Sequence, residues 1–277
     1  MLPEFHLTAR QKVSYMLSAI WQICKSAVRR TPLLNSFPVD LGEVTDERLI
    51  DGPSPLNTYT NLACPYFARL YFPSPAHILD IGCGEAGIHG VLQNSGLTGS
   101  YTGVDIKPRG SWDDVQAASQ GTGFTASLKT LDVTDIGGLG LFDCVLSSSA
   151  LEHFPDIDAT LAMVAKATKP GGISLHVVPA LWSFFLYGTH GFRRFYATDL
   201  TNMFSHHGFS IEQVDALGGL PSFLLHGLAI TVPAKVLRGR FPLKRGRTYA
   251  KVLRQSLRAD RGLPWLHVGY VLVARKG

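Results

Sequence analysis

The sequence predicts an α/β protein, a doubly wound Rossmann-like, mostly parallel seven-stranded sheet with an N-terminal helical extension and a helical insertion before the last strand. Three observations carry that expectation. From His77 onward, compact apolar runs alternate with helical periodicities, the pattern of parallel strands joined by crossover helices that cover both sheet faces. A glycine-rich turn, Gly82-Cys-Gly84 with Gly87 behind it, lies where the first of these runs hands over to a helix. The chain also has 277 residues, 45% of them hydrophobic and 17% charged, which suits one well-buried core plus accessory segments.

The elements follow in order. Residues 8–30 read as an amphipathic helix, because Val13, Met16, Leu17, Ile20, Cys24 and Val28 recur at i, i+3, i+4 and i+7. Thr31-Pro32 stops it, since proline disfavours helical geometry in the residue before it. Residues 33–55 look like a linker or lid, and residues 57–71 like a shorter helix closed by Pro73 and Pro75. The core then reads as strand 77–81, helix 85–94, strand 100–105, helix 112–119, strand 127–133, strand 142–148 and helix 157–168. After the turn Lys169-Pro-Gly-Gly172 come strand 173–178, a helix from an N-cap at Thr198 to His207 with Gly208 behind it, strand 210–216 and a last strand at 267–274. Residues 217–266 are far longer than a strand connection needs and read as an insertion. The domain reading is therefore residues 1–72 as an N-terminal helical cap or lid, 73–216 with 267–277 as the core, and 217–266 as an apolar-then-basic insertion.

Composition excludes several classes. No apolar run reaches the roughly 20 residues of a membrane-spanning helix, and Glu4, His6, Arg10 and Lys12 interrupt the N-terminus where a secretory leader would be apolar. Cys24, Cys64, Cys83 and Cys144 lack metal-ligand spacing, so neither a metal site nor a disulfide framework is expected and a reducing, cytoplasmic compartment is.

The glycine turn needs residues without a Cβ so that the backbone can bend tightly and a ligand can approach. Taken alone it also fits a dinucleotide fingerprint. Asp80, just ahead of the first glycine, tilts the reading away from pyrophosphate, which a carboxylate repels, and towards a cationic ammonium group.

The ordered motifs His77-Ile-Leu-Asp-Ile-Gly-Cys-Gly84, Tyr101-Thr-Gly-Val-Asp-Ile106, Leu131-Asp-Val133, Phe142-Asp-Cys-Val-Leu-Ser-Ser-Ser-Ala-Leu-Glu-His153 and Lys169-Pro-Gly-Gly172 resemble those of the class I S-adenosylmethionine-dependent methyltransferases. The resemblance is to the type 11 and type 23 small-molecule and glycan group, over about residues 76–210. It implies S-adenosyl-L-methionine as cofactor and a cofactor crevice lined by Asp80, Gly82, Cys83, Gly84, Asp105, Ile106, Asp132, Val133, Ser147 and Ser148. In that reading Asp105 accepts the ribose hydroxyls and Ile106 flanks the adenine. Asp132 accepts from the exocyclic amine, Val133 offers a backbone N–H, Gly82 and Gly84 admit the methionine portion, and Ser147 and Ser148 close the crevice. Asp105 and Asp132 also fit as strand-end caps or turn residues, and Cys83 reads as a small filler. The family often has a glycine where this chain has Ala86, which leaves the turn geometry open.

His153 is the catalytic candidate. A neutral imidazole there can take a proton from an acceptor hydroxyl as the methyl transfers in line; the alternative is a packing role beside the cofactor. The loop holding Trp182, Phe184, Phe185, Tyr187, His190, Phe192, Arg193, Arg194, Phe195 and Tyr196 reads either as an acceptor site for a sugar or anion or as a hydrophobic lid. In the insertion, Phe223, Leu224, Leu225, Leu228, Ile230 and Val232 precede ten Lys and Arg residues between Lys235 and Arg261, with Asp260 the one acid of that stretch. Such a tract suits an anionic membrane surface on the inner face of the membrane, with nucleic acid and a plain solvated face as alternatives. The expected activity is methyl transfer to a hydroxyl of a small molecule, sugar or lipid-linked glycan. An RNA methyltransferase and a non-catalytic S-adenosylmethionine-binding scaffold are the rivals, with a dehydrogenase third.

Overall fold

A computed structural model describes residues 8–28, 35–38, 54–188, 190–236 and 246–277. The helix stop at Thr31-Pro32, most of the 33–55 linker, and Arg238, Arg240, Lys244 and Arg245 of the basic tract lie outside the described residues. The chain forms two compact units, the first made of Met1–Leu62, Pro179–Tyr196 and Asp215–Tyr270, the second of Ala63–Val178, Ala197–Val214 and Val271–Gly277.

In the described residues the elements run α1 (Ala9–Val28), β1 (Asn35–Ser36), α2 (Pro55–Tyr71), β2 (Ala76–Ile81), α3 (Gly87–Asn94), β3 (Gly99–Asp105), α4 (Trp112–Ser119), β4 (Phe124–Thr130), β5 (Phe142–Ser148), α5 (Ile157–Ala167), β6 (Thr168–Pro179), α6 (Phe184–Tyr187), α7 (Ala197–His206), β7 (Phe209–Leu217), α8 (Leu220–His226), α9 (Arg247–Asp260) and β8 (Gly269–Lys276). The sheet order is β1-β7-β8-β6-β5-β2-β3-β4. It is mostly parallel, with β8 antiparallel to β7, and their ends are tied by the Gly277 N–H to the Gly208 carbonyl and the Val268 N–H to the Leu217 carbonyl. The expected doubly wound α/β sheet is thus present, with one strand more than the seven expected. The addition is β1, whose two residues pair with Asp215 and Ala216 and are too few to carry a periodicity.

The second unit is built around β2, which hydrogen-bonds to β3 on one side and β5 on the other. From β2 the chain winds outward through β3 to β4, then returns to start β5 on the opposite side. That reversal is a topological switch point, where open α/β sheets leave a crevice beyond the strand ends. Central burial explains why β2 is apolar nearly throughout: Ala76, Ile78, Leu79 and Ile81 are buried and only His77 is exposed. At the edge, β4 alternates, with Phe124, Ala126 and Leu128 inward and Thr125, Ser127 and Lys129 outward.

β4 lies three residues earlier than the sequence suggested, because the apolar residues of Leu131-Asp-Val133 belong to the following connection. Val133–Leu139 is a 3-10 helix capped by Asp132. The expected Lys169-Pro-Gly-Gly172 turn is a bulge inside β6: two residues of β5 advance against five of β6, from the Phe142–Thr168 pair to the Cys144–Ile173 pair. Gly172 is required there, since a Cβ would lie 2.8 Å from the Lys169 carbonyl oxygen and 2.9 Å from that of Asp143. Asp156 caps α5 by accepting from the Ala159 N–H at 3.0 Å.

In the first unit, the stretch read as an insertion folds into α8, a π-helical segment at Gly227–Val236, and α9. α9 buries Tyr249, Ala250, Leu253, Ser256 and Leu257 on one face. Asp260 ties this helix to α8 by accepting from the Ser222 N–H at 3.0 Å, the Ser222 hydroxyl, and the Tyr59 hydroxyl at 2.6 Å.

Candidate functional site

The second unit gathers the glycine turn, the end of β3, the loop after β4 and the loop after β5 at one edge of the sheet, because β2, β3, β4 and β5 are mutually parallel. The N–H groups of Gly82 and Cys83 both donate to the Val104 carbonyl, at 2.8 and 3.0 Å, which folds the turn back over β3. Gly82 has φ +71°, and a Cβ on it would sit 2.7 Å from the Ala150 Cβ and 3.6 Å from Phe154. The turn therefore lies directly against the loop that carries His153. Gly84 has φ +52° and open space where a Cβ would be, so its backbone can be approached by a ligand. Ala86 takes the left-handed conformation, φ 56° and ψ 28°, so the position where the family often has glycine does adopt the backbone that favours glycine.

Asp80 is buried in β2, and its carboxylate accepts the Tyr101 hydroxyl through Oδ2. Its Oδ1 is equally buried and makes no hydrogen bond. Burial lifts the carboxyl to about 7, the Tyr101 hydrogen bond opposes the rise, and the charge of Asp105 adds to it. A buried, half-satisfied carboxylate is costly unless it meets a cation, and the ammonium group of S-adenosylmethionine is such a cation.

Asp105 ends β3 with both oxygens engaged: Oδ2 accepts from the Gly84 N–H at 3.0 Å and Oδ1 from the Lys107 N–H at 3.2 Å. Arg109 stands 3.7 Å away. Each oxygen keeps a second lone pair, so these bonds orient the carboxylate without using it up. Ile106 follows, half-buried. The Leu131 N–H donates to the Asp105 carbonyl at 2.9 Å, which brings the β4 loop alongside. Asp132 in that loop is exposed and caps the 3-10 turn, its Oδ1 accepting from the Thr134 N–H at 2.9 Å and hydroxyl at 2.8 Å; Val133 is buried.

The two serines of β5 part company, as period two demands. Ser148 is half-buried. Ser147 is buried and hydrogen-bonds the Nδ1 of His176 at 2.7 Å, while the His176 Nε2 meets the Ser174 hydroxyl at 2.7 Å. The Ser147 hydroxyl thus belongs to a buried Ser–His–Ser chain beneath Phe204. Burial holds His176 neutral, its pKa down at about 3. Cys83 fills space over Gly103, where a Cβ would lie 2.9 Å from its Sγ, and burial raises its thiol pKa.

His153 ends a 3-10 turn, Leu151–His153, with its ring partly exposed and Nε2 3.9 Å from Oε1 of buried Glu152. Sequence reasoning missed Tyr101 as the partner of Asp80, and Ser149, whose hydroxyl is buried without a hydrogen bond and whose φ is +51°. A non-glycine residue held at positive φ between β5 and the His153 loop is a common mark of functional strain, but no residue-type pattern announces it.

In the first unit, the aromatic loop after β6 is closed by Arg194. Its Nη1 donates to the His190 and Arg193 carbonyls at 2.6 and 2.8 Å, and its Nη2 to the Gly188 carbonyl at 3.3 Å. The guanidinium stands 6.0 Å from the Tyr187 ring, whose hydroxyl reaches Ser54 at 3.3 Å and His226 at 3.5 Å.

Three comparisons bear on this geometry. The ubiquinone biosynthesis O-methyltransferase of Xanthomonas axonopodis pv. citri is 32% identical over 130 residues, covering 44% of this chain and 51% of that protein. The chain thus aligns with about half the length of this curated relative. A putative sarcosine dimethylglycine methyltransferase from Galdieria sulphuraria shares the fold at TM-score 0.54 and 14% identity, over 80% of this chain and 86% of that one. The [4+2]-cyclase SpnF does so at TM-score 0.56 and 14% identity, over 99% of both chains. Residues 58–214 match the methyltransferase-domain family, more than half of the chain. The protein belongs to that family, among the class I S-adenosylmethionine-dependent methyltransferases, and S-adenosyl-L-methionine is its cofactor.

Proposed function

We propose that this protein transfers a methyl group from S-adenosylmethionine to a hydroxyl of a small molecule, sugar or lipid-linked glycan. The observation that carries the reading is the loop after β5, which lies against Gly82 and holds the accessible His153 ring beside the buried Glu152 carboxylate. S-adenosylmethionine supplies an electrophilic methyl group on a sulfonium. Asp80, Gly82 and Gly84 would hold its methionine end, Asp105 and Ile106 the ribose and adenine edge, and Asp132, Val133, Cys83, Ser147 and Ser148 the remaining walls. His153 Nε2 accepts the proton that an acceptor hydroxyl loses, and Glu152 stabilises the imidazolium that results. Catalysis rests mainly on holding acceptor oxygen, methyl carbon and sulfur in line. The O-methyltransferase named among the relatives supports oxygen over nitrogen, while the cyclase on the same fold is a reminder that fold alone does not fix chemistry.

A screen of hydroxylated small molecules, sugars and polyprenyl-linked glycans with labelled methyl donor tests the proposal. Label appearing on an acceptor oxygen, and lost in His153→Ala, is the expected result. Label on nitrogen or on RNA, or cofactor binding without transfer to any acceptor class, overturns it.

A further inference from the structure

We propose that the first unit docks on an anionic lipid bilayer, with the exposed apolar face of α1 inserted among the headgroups and basic side chains of α9 at the phosphates. On α1 the residues Val13, Met16, Leu17, Ile20 and Trp21 share one face at i, i+3, i+4, i+7 and i+8, and all are exposed, Leu17 to 63% and Trp21 to 62%. Tyr15 points the opposite way and packs on Phe184, ring centroids 5.8 Å apart. The helix is therefore attached to its own unit through Tyr15, while Val13, Met16, Leu17 and Ile20 stay exposed on the opposite side. Further large apolar side chains stand out on the same unit, among them Leu224, Leu228 and Trp265, the last two about as exposed as Leu17. Exposed apolar surface of this extent marks an interaction surface, and tryptophan favours the membrane–water boundary.

Charge identifies the occupant. Over its full sequence this unit carries eighteen Lys and Arg against eight Asp and Glu, and the two acids among its described residues, Asp215 and Asp260, are buried. The exposed charges among those described residues are basic: Arg10 and Lys12 on α1, Arg247, Lys251 and Arg258 on α9, and Arg261 just beyond it. An RNA backbone satisfies the basic groups and leaves the leucines and tryptophans in water. A second copy of the chain covers the apolar stripe but brings like charges together, which costs energy across an interface. An anionic bilayer takes up both, the apolar side chains in its boundary region and the basic ones at its surface. This inference does not depend on the acceptor chemistry proposed above.

Co-sedimentation of the full chain with phosphatidylglycerol–phosphatidylcholine vesicles, and with phosphatidylcholine alone, tests it at low and high salt. Binding to the anionic vesicles is expected at low salt, weakened but not abolished by high salt because apolar burial is unscreened. The double variant Leu17→Asp, Ile20→Asp should weaken binding by at least about tenfold, since two apolar side chains are withdrawn from the headgroup region. Lys251→Glu with Arg258→Glu should remove the preference for anionic lipid. Each variant is checked for an unchanged melting temperature and unchanged S-adenosylhomocysteine affinity, which separates lost docking from misfolding. Protein wholly in the supernatant at low salt overturns the proposal. So does RNA binding that survives the Leu17 and Ile20 changes without any lipid binding, or a dimer in sedimentation that the same changes dissolve.

Discussion

The Tyr101 hydroxyl donates to one oxygen of Asp80 and leaves the other, equally buried, without a hydrogen bond. Tyr101 in β3 lies two positions before Gly103, the register partner of Asp80, which brings the phenol within reach of the carboxylate.

That arrangement makes cofactor affinity depend on pH. In the proposed site Asp80 meets the ammonium group as a carboxylate, and its pKa in the folded protein is raised to about 7. Affinity for S-adenosylhomocysteine should therefore fall as acid protonates the carboxylate, by roughly 25-fold between about pH 7.5 and pH 5.5. Asp80→Asn should bind weakly at both values with a flat profile. Calorimetry across this range decides it, and an unchanged slope in the variant would remove Asp80 from the ammonium site.

Asp105→Ala removes the carboxylate proposed to accept the ribose hydroxyls and leaves the Gly84 N–H without its partner. The dissociation constant for S-adenosylmethionine should rise by about 1.5–3 kcal/mol equivalent, the usual cost for a hydrogen-bonded charged group. Equal affinity in a folded variant would show that Asp105 only pins the turn.

For His153 the informative quantity is the split between kcat and cofactor affinity. His153→Ala should lower turnover by about a hundredfold while leaving cofactor binding near wild type. If both fall together, the ring packs against the cofactor instead of moving a proton.

The buried His176 predicts acid sensitivity of the fold. Its pKa is about 3 in the folded state against an ordinary 6.5, so between these values the unfolded chain binds the extra proton. The contribution to stability is present above about pH 6.5 and is lost as pH falls towards 3. His176→Gln keeps a donor and an acceptor for Ser147 and Ser174 but does not titrate. Relative to this variant, the wild type should lose about 2 kcal/mol between pH 7 and pH 5 in denaturant unfolding. Parallel curves would place the acid-labile group elsewhere.

Where local signals were dense, the sequence was read to the residue: β5 and α4 lie where their apolar runs and flanking turns put them. β4 was displaced because Leu131 and Val133 look like strand residues, whereas Asp132 diverts the backbone into a 3-10 turn by capping it. Asp80, Gly82 and Gly84 stood out because a carboxylate beside a tight glycine turn is a local pattern, whereas Asp105 was singled out only through the family resemblance. The Asp80–Tyr101 bond was not, since it depends on strand register between residues 21 apart. Ser147 and Ser148 are chemically identical neighbours, so only the facing of β5 in the sheet could tell which one turns to His176. The periodicity of α1 announced an apolar face but not whether protein or solvent lies against it.

Arg194 fastens the aromatic loop by gripping three of the loop's own carbonyls, where Gly188 and Gly191 bend the backbone at φ +61° and +76°. A buried set of bonds is little screened by salt. The clasp therefore stays shut as salt rises. Lysine carries the same charge at one point instead of a planar fork, and cannot hold three divergent oxygens in this way. The position is thus selective for the shape of its cation as well as for its sign.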